Sequence, residues 1–589
     1  MDIIKTSVLI VGGGGAGLTA SMLLSQLGVD SRLVSSLPTT SQLPKAHILN
    51  QRAMEIMSDA GVADDIYAQG TPPENFSHTA AYVGFGGHPE AGRRIAKMEC
   101  WGTGGTNESW CAASPRLSTN LPQIRLEPIL RQQAERLAPG TVNFNHELVN
   151  IEQDANGVTA TIRDKNALVE YVVRADYVLA CDGGRTVGRL LGVEMVGLRK
   201  AASQVSFHLS ADFSSWNNDD DVLIRWIGMP HLGHQVVMVP MGPDVWGSRS
   251  TEWVVHLNYP YDDPRSLDDS TVEEDLRVAL GIGDHPLDIH LISRWATEGI
   301  VADKFSIGRV FFCGDAAHRH PPTGGLGLTS AMHDVQNICW KLSMVLGGHA
   351  QPELLLTYEP ERRPVVERNV KRSLENAMQW GVTWRELGLS DKTKTIDEKW
   401  AHLARLWSDD PEDDDMREFA HKLFAVHSME FQEQNVEYGY TYSSSAVVDD
   451  GTTPIHNPDD IRLYIMEARP GHPLPHAWVE NVRGDRCSTI DLVQHGRFLL
   501  IAGENGQQWC DAASRVAQKL NVPLDVVRIG HTDGDHLDTR LTWTRNRGIS
   551  DAGAVLVRPD RFVAWRHMGA SADAETELSA AFSHVLHLA

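Results

Sequence analysis

Basic residues are in short supply: 53 Lys and Arg stand against 77 Asp and Glu, a formal net charge of −24. That balance leaves no cationic footprint for a phosphate backbone, which excludes nucleic acid as a partner. Long hydrophobic runs are missing as well. No stretch of about 18 apolar residues offers a membrane span, and the first residues read as a strand and not as a signal peptide. The seven cysteines in 589 residues have no CxxC and no ligand spacing, so they read as reduced thiols of a cytoplasmic protein. His318, His320 and His333 lack Cys or carboxylate partners at ligand spacing, and no metal is expected. There is no internal repeat. The acidic clusters at 219–221 and 409–415 are expected to be solvated loops, and the length implies three domains or subdomains.

What is present begins at the N-terminus. Ser7 to Val11 form a short apolar run that leads into Gly12-Gly13-Gly14-Gly15-Ala16-Gly17, and Leu18 to Leu27 read as the helix that follows. Gly12, Gly14 and Gly17 satisfy GxGxxG: a tight turn, a close approach for a pyrophosphate, and close helix–strand contact, with the helix N-terminus supplying N–H groups. Ser31 to Val34 read as the next strand. The acidic residue that should end it and hold a ribose is replaced by Ser35-Ser36, which leaves the ribose to a hydroxyl or to water.

A second motif lies at 308–327. Val310 to Cys313 read as a buried strand ending at Gly314-Asp315. A carboxylate at a strand end can accept hydrogen bonds from a sugar or ribityl hydroxyl, or serve as a plain helix N-cap. Gly324, Gly325 and Gly327 allow backbone N–H groups to approach a ring or phosphate.

Together these motifs resemble the single-component FAD-dependent aromatic hydroxylases, and within them the phenol and 2,4-dichlorophenol monooxygenase branch. Further segments carry the likeness: Pro44-Lys45-Ala46-His47 with Asn50-Gln51-Arg52, Leu121-Pro122-Gln123 with Leu126 to Leu130, Ala180 to Gly184 with Arg189, and Asp334 to Leu342. In the tail, Leu474 to Val479 and Val555 to Asp560 with Ala564-Trp565-Arg566 continue it. The resemblance implies FAD contacts from Gly12, Gly14, Ala16, Gly17, Ser35, Ser36, Lys45, Ala46, Gln123, Asp182, Gly183, Gly314, Asp315, Pro322, Gly325, Gly327, Leu328 and Thr329. Lys45 stands where Arg is usual, keeping the charge but losing the bidentate fork. Leu328-Thr329 occupies the place of a usual Asn.

The implied fold is α/β, α+β overall: a Rossmann-like FAD-binding domain from 1–75, 120–200 and 300–365, with a substrate-binding sheet from 76–119 and 201–299. A helical region at 366–463 and a thioredoxin-like C-terminal domain at 464–589, without the dithiol, complete it. Within 201–300, Val205 to Ala211, Val222 to Ile227, Gln235 to Pro240 and Glu252 to Leu257 have the character of strands. Trp380, Trp384 and Leu387 recur at helical spacing and read as core.

The chemistry implied by the resemblance is hydroxylation of a phenol ortho to its hydroxyl. NADH or NADPH reduces FAD, O2 forms a flavin C4a-hydroperoxide, and the phenol attacks its distal oxygen. Such a site needs a base or proton relay and a cation or dipole. His47 is the expected base, an imidazole able to titrate near neutral pH, unless it is a histidine bonded only to backbone. Arg225, which interrupts an apolar strand, is the expected cation if it faces the pocket and not solvent. Trp226, His234, Arg249 and Pro321 are expected to touch substrate. A homodimer is expected. The alternatives are a degenerate flavin-fold protein that binds without turnover, and oxidative decarboxylation or Baeyer–Villiger insertion on the same scaffold.

Overall fold

The computed structural model, which describes residues 3–455 and 460–588, has three large sheets and a small two-stranded one that pairs Ile48–Leu49 with Thr119–Asn120. The first sheet is built on parallel strands in the order Val310–Phe312, Val169–Ala180, Ile3–Val11, Ser31–Ser35 and Val142–Phe144. Val8, Leu9 and Ile10 are wholly buried, as expected of a parallel strand covered on both faces. The helix Gly15–Gln26 packs between Gln123–Leu137 and Leu326–Leu346. The expected helix at Asp334 to Leu342 is longer, because it starts at the glycine turn itself, with Gly325 as its N-cap.

The second sheet has eight strands, and Met195–Ser210, Glu252–Tyr259, His234–Pro240 and Val222–Met229 form its centre. Strand Met195–Ser210 starts ten residues before the expected Val205 and runs beside Asp288–Ala302. Alternation sorts its residues onto two faces. Val205, Phe207, Met238, Val255 and Leu257 point to one, where the helix Asp269–Leu280 buries Val272 and Leu276 against them. Ser206, His256, Val237 and Trp226 lie in one register row and belong to the other face, toward the cofactor domain. Trp380, Trp384 and Leu387 of the region after residue 358 are buried against that face.

The third sheet, Trp478–His567, has the thioredoxin-like unit Phe498–Gly503, Gln507–Leu520, Leu524–Gly530 followed by the antiparallel pair Ala554–Val557 and Val563–His567. No helix among the described residues is long and apolar enough to cross a membrane.

A buried ionic network ties these parts together. Glu361 accepts from Arg558 through both oxygens at 2.6 and 2.9 Å, from Lys341 at 2.7 Å, from Asn337 at 2.7 Å and from Ser444 at 2.6 Å. Arg558 also grips Asp560, whose carbonyl receives Arg52; Arg52 in turn pairs with Glu55 at 2.8 Å. Burial pulls Lys341 down to about 8, although Glu361 opposes that shift. Replacing Glu361 with Gln leaves Lys341 without its carboxylate in the interior and Arg558 with Asp560 alone. We expect a loss of about 3–5 kcal/mol, measured by denaturant unfolding, with the C-terminal domain exposed early to limited proteolysis. Unchanged unfolding would mean that apolar packing alone joins the domains.

Candidate active site

The glycine turn is sterically determined. A Cβ on Gly12 would lie 2.1 Å from the Cys181 carbonyl oxygen, and one on Gly17 would lie 1.9 Å from that of Gly12. The helix Gly15–Gln26 has no side-chain cap and no acid in its first turn, so its first N–H groups are open to an anion. Leu326–Leu346 begins in the same uncapped way, and Leu328 packs onto the first turn, 2.8 Å from a Cβ placed on Gly15. Asp315, exposed, follows the strand Val310–Phe312. Its backbone oxygen lies 3.2 Å from a Cβ placed on Gly184, which brings the Asp182–Gly184 turn beside it.

Other residues of the expected set settle around these. Gln123 donates its N–H to the Pro44 and Ala46 carbonyls, 2.9 Å each, which docks the 44–47 loop on a helix end. Lys45, at φ +49°, is exposed on that loop. Ser35 is buried and accepts from the Leu37 N–H at 3.4 Å, and the Ser36 carbonyl receives Lys165. A second acid stands near the turn: Glu127 is buried, accepts from Ser41 and Gln123, and lies 3.5 Å from a Cβ placed on Gly14. Two open helix ends, a turn only glycine fits and a strand-end carboxylate suit a long anionic nucleotide such as FAD.

Some expected ligands are engaged elsewhere. The Asp182 carboxylate accepts from the N–H groups of Gly184, Thr186 and Val187, which shapes its own turn. Thr329 bonds the Leu326 carbonyl within its helix, and Pro322 is exposed beside buried Pro321. The turn after Val310–Phe312 is instead held by a residue whose role went unread, Asp334. Its carboxylate accepts from Gly314 N–H at 3.0 Å, His318 at 2.6 Å and Arg362 at 2.8 Å. Burial would raise its pKa, but these partners hold it well below the usual carboxylate range.

His47 faces the second sheet from the loop. Its Nδ1 lies 2.5 Å from the Asn120 amide oxygen, and the Asn120 amide group donates to Thr71 at 2.6 Å, which fixes that orientation. Nδ1 therefore carries the proton and Nε2 is an acceptor. The expectation of titration near neutrality is corrected: burial lowers His47 to about 4, against the hydrogen bond to the Asn120 oxygen that raises it.

The expected cation is also corrected. Arg225 is buried on the opposite face of the sheet, where it donates to Asn217, the Val222 carbonyl and the Asp219 carbonyl and lies over Trp253. Both faces of the sheet are covered, so the charge is satisfied by a polar loop and reaches neither solvent nor pocket. His234, one residue before Gln235, falls on that same far face and bonds the Gln235 carbonyl, while Arg249 is exposed beyond the sheet. The cluster 219–221 is not simply solvated: Tyr82 donates to Asp219, Ser248 to Asp220 and Lys97 to Asp221.

Trp226 does face the cofactor side, stacked on Trp380 with centroids 4.2 Å apart and planes at 11°. Glu430 links that stack to the cofactor helix. One oxygen accepts from Trp380 at 2.8 Å and the other from Gly324 N–H at 3.2 Å. A separation of 106 residues hides this pairing from sequence.

A family model described as FAD binding domain matches residues 5–373, and one described as aromatic-ring hydroxylase, C-terminal, matches residues 467–589. The chain belongs to the FAD-dependent aromatic-ring hydroxylases. It is a flavin monooxygenase, 35% identical to the 2,4-dichlorophenol 6-monooxygenase of Delftia acidovorans over 99% of this chain and 98% of that one. The phenol 2-monooxygenase of Pseudomonas sp. (strain EST1001) is 34% identical over 98% of this chain and 92% of its own. Among solved structures, the flavin-dependent monooxygenase PieE, in complex with FAD and substrate, superposes with a TM-score of 0.91 at 36% identity and full coverage of both chains.

Two outcomes are expected of this hydroxylase. Asp315→Ala should yield folded protein that loses FAD on dialysis, since each charge-assisted hydrogen bond is worth about 1.5–3 kcal/mol; retention of stoichiometric flavin would place the ribityl chain elsewhere. Glu433 supplies a pH test. It is 1% exposed, bonded through one oxygen to Arg372 and Asn376, and burial raises it to about 7 against their pull. A carboxyl raised when folded stabilises fully below its ordinary 4.5, and that contribution is lost as pH rises through about 7. Glu433→Gln cannot titrate. Its stability relative to the parent should therefore rise by on the order of 3 kcal/mol between about pH 4.5 and 8, and a pH-independent difference would overturn the assignment.

Proposed function

We propose that this monooxygenase hydroxylates a phenol ortho to its existing hydroxyl, consuming O2 and NADH or NADPH and releasing water. The observation that carries the reading is His47, whose acceptor nitrogen is set by the Asn120–Thr71 chain on the loop docked against the cofactor helices. Bound FAD supplies the activated oxygen. The chain's own residues would hold the nucleotide at the two helix ends, with Pro321 and Trp226 lining the space for substrate and His47 Nε2 accepting the hydrogen bond of the phenol hydroxyl. A phenol that shares its proton with a neutral imidazole is a better nucleophile at its ortho carbon, which is where oxygen is added. By family resemblance we expect a cytoplasmic homodimer.

The test is His47→Asn, with FAD content measured alongside. Hydroxylated product per nicotinamide consumed should fall steeply, with product formation slowed by about 10²–10⁴-fold and hydrogen peroxide released instead. Because burial sets His47 to about 4, the acid limb of the parent's activity should lie near there and not at 6.5. Equal coupling in the variant would make His47 structural, and a phenol panel that never stimulates nicotinamide oxidation would remove the hydroxylase reading.

A further inference from the structure

A second histidine stands across from His47 and has no part in the chemistry above. His256 lies at the centre of the cofactor-facing side of the second sheet, in register with Ser206 on one neighbour and Val237 on the other. Its Nδ1 is 2.7 Å from the Ser206 hydroxyl, and that hydroxyl accepts the indole N–H of Trp295 at 2.9 Å. Among the described residues the Ser206 hydroxyl proton has no other acceptor than the Nδ1 lone pair, which leaves the imidazole proton on Nε2. The Trp295 ring stands at 87° to the imidazole, centroids 6.3 Å apart, and fixes its plane. The two histidines are thus complementary. His47 presents an acceptor and His256 a donor.

We propose that His256 is a specificity-determining residue of the phenol pocket: its Nε2–H donates to a second, uncharged oxygen acceptor on the substrate, such as an aryl ketone. This rests on the hydroxylase reading. The charge of the surroundings supports a neutral ligand. Burial, with His47 adding to it, lowers His256 to about 4, so neither ring is a cation at working pH. Arg125, which reaches the same face, is neutralised by Glu252 at 2.7 Å and spends a second arm on the Met241 carbonyl; His208 holds the same carboxylate. Arg372 is bound to Glu433, and Arg225 is on the far side of the sheet. A carboxylate entering here would lose its hydration against cations already paired, Arg125 with Glu252 and Arg372 with Glu433, whereas a carbonyl needs only one donor.

The test compares 4-hydroxyacetophenone, 4-ethylphenol and 4-hydroxybenzoate on the FAD-loaded parent, His256→Phe, His256→Gln and Ser206→Ala. In the parent the ketone should be preferred over the ethyl compound by about 10-fold in kcat/KM, the difference lying in KM, with the carboxylate poorest. His256→Phe should bring the ketone-to-ethyl ratio to near one. His256→Gln, which keeps a donor, should restore part of the preference, and Ser206→Ala should weaken it by releasing the ring. The proposal is overturned if the parent prefers hydroxybenzoate, or if His256→Phe leaves the ratio where it was. Titration of each compound into the oxidised enzyme, followed by the flavin spectrum, separates the two readings. If no phenol is turned over but the ketone still binds preferentially and loses that preference in His256→Phe, the hydroxylase reading fails and the recognition by His256 stands; if phenols are turned over with no such preference, the reverse holds.

Discussion

The architecture depends on a set of charges that water never touches. Glu361 and Arg558, both fully buried, belong to different domains, and their bidentate contact brings with it Lys341 from the cofactor helix and Asp560 from the C-terminal sheet. Two residues along the same surface, Arg362 and Asp334 make a separate buried pair that fixes the turn carrying Asp315. Each ion is costly to desolvate, and a buried pair is weak evidence for stability in itself. What the charges supply is register. An apolar seam tolerates sliding, whereas a carboxylate that must meet a guanidinium, an ammonium and an amide at once does so in a single arrangement.

How legible this was in the sequence varies with the range of the physics involved. Gly12 and Gly17 were readable because a single Cβ decides the matter, and the strands around Trp226 and Val237 because alternation is local. Arg225 shows where locality ends. A cation interrupting an apolar strand points to a pocket only if the other face is dry, and here that face has a polar loop to receive it. His47 was identified by type, but its titration depends on burial and on Asn120, 73 residues away. Asp334 and Glu430 were invisible as site residues since nothing near them in the chain reveals what they hold.

The pocket that results is electrically quiet. Two neutral imidazoles, paired carboxylates and stacked tryptophans make an interior in which hydrogen bonds, not net charge, distinguish one aromatic from another. Such a surface favours ligands that arrive uncharged and shed water easily. It also spares the oxygen chemistry from stray proton donors. The strongest acids and bases of the chain are locked into the network beneath it or turned outward on the opposite side of the sheet.

Glu430 carries a consequence for how such an enzyme diversifies. One carboxylate serves both the tryptophan wall and the loop that begins the cofactor helix, so reshaping that wall through Trp380 would pull on Gly324 as well. The rim where Gln204 bonds Asn258 and Asn258 bonds the Gln235 carbonyl joins the same wall, because the Gln235 side chain accepts the indole N–H of Trp384, which stacks on Trp380. A change of shape at either place is therefore passed along one chain of contacts, from the amide rim through the tryptophans to the turn that opens the cofactor helix.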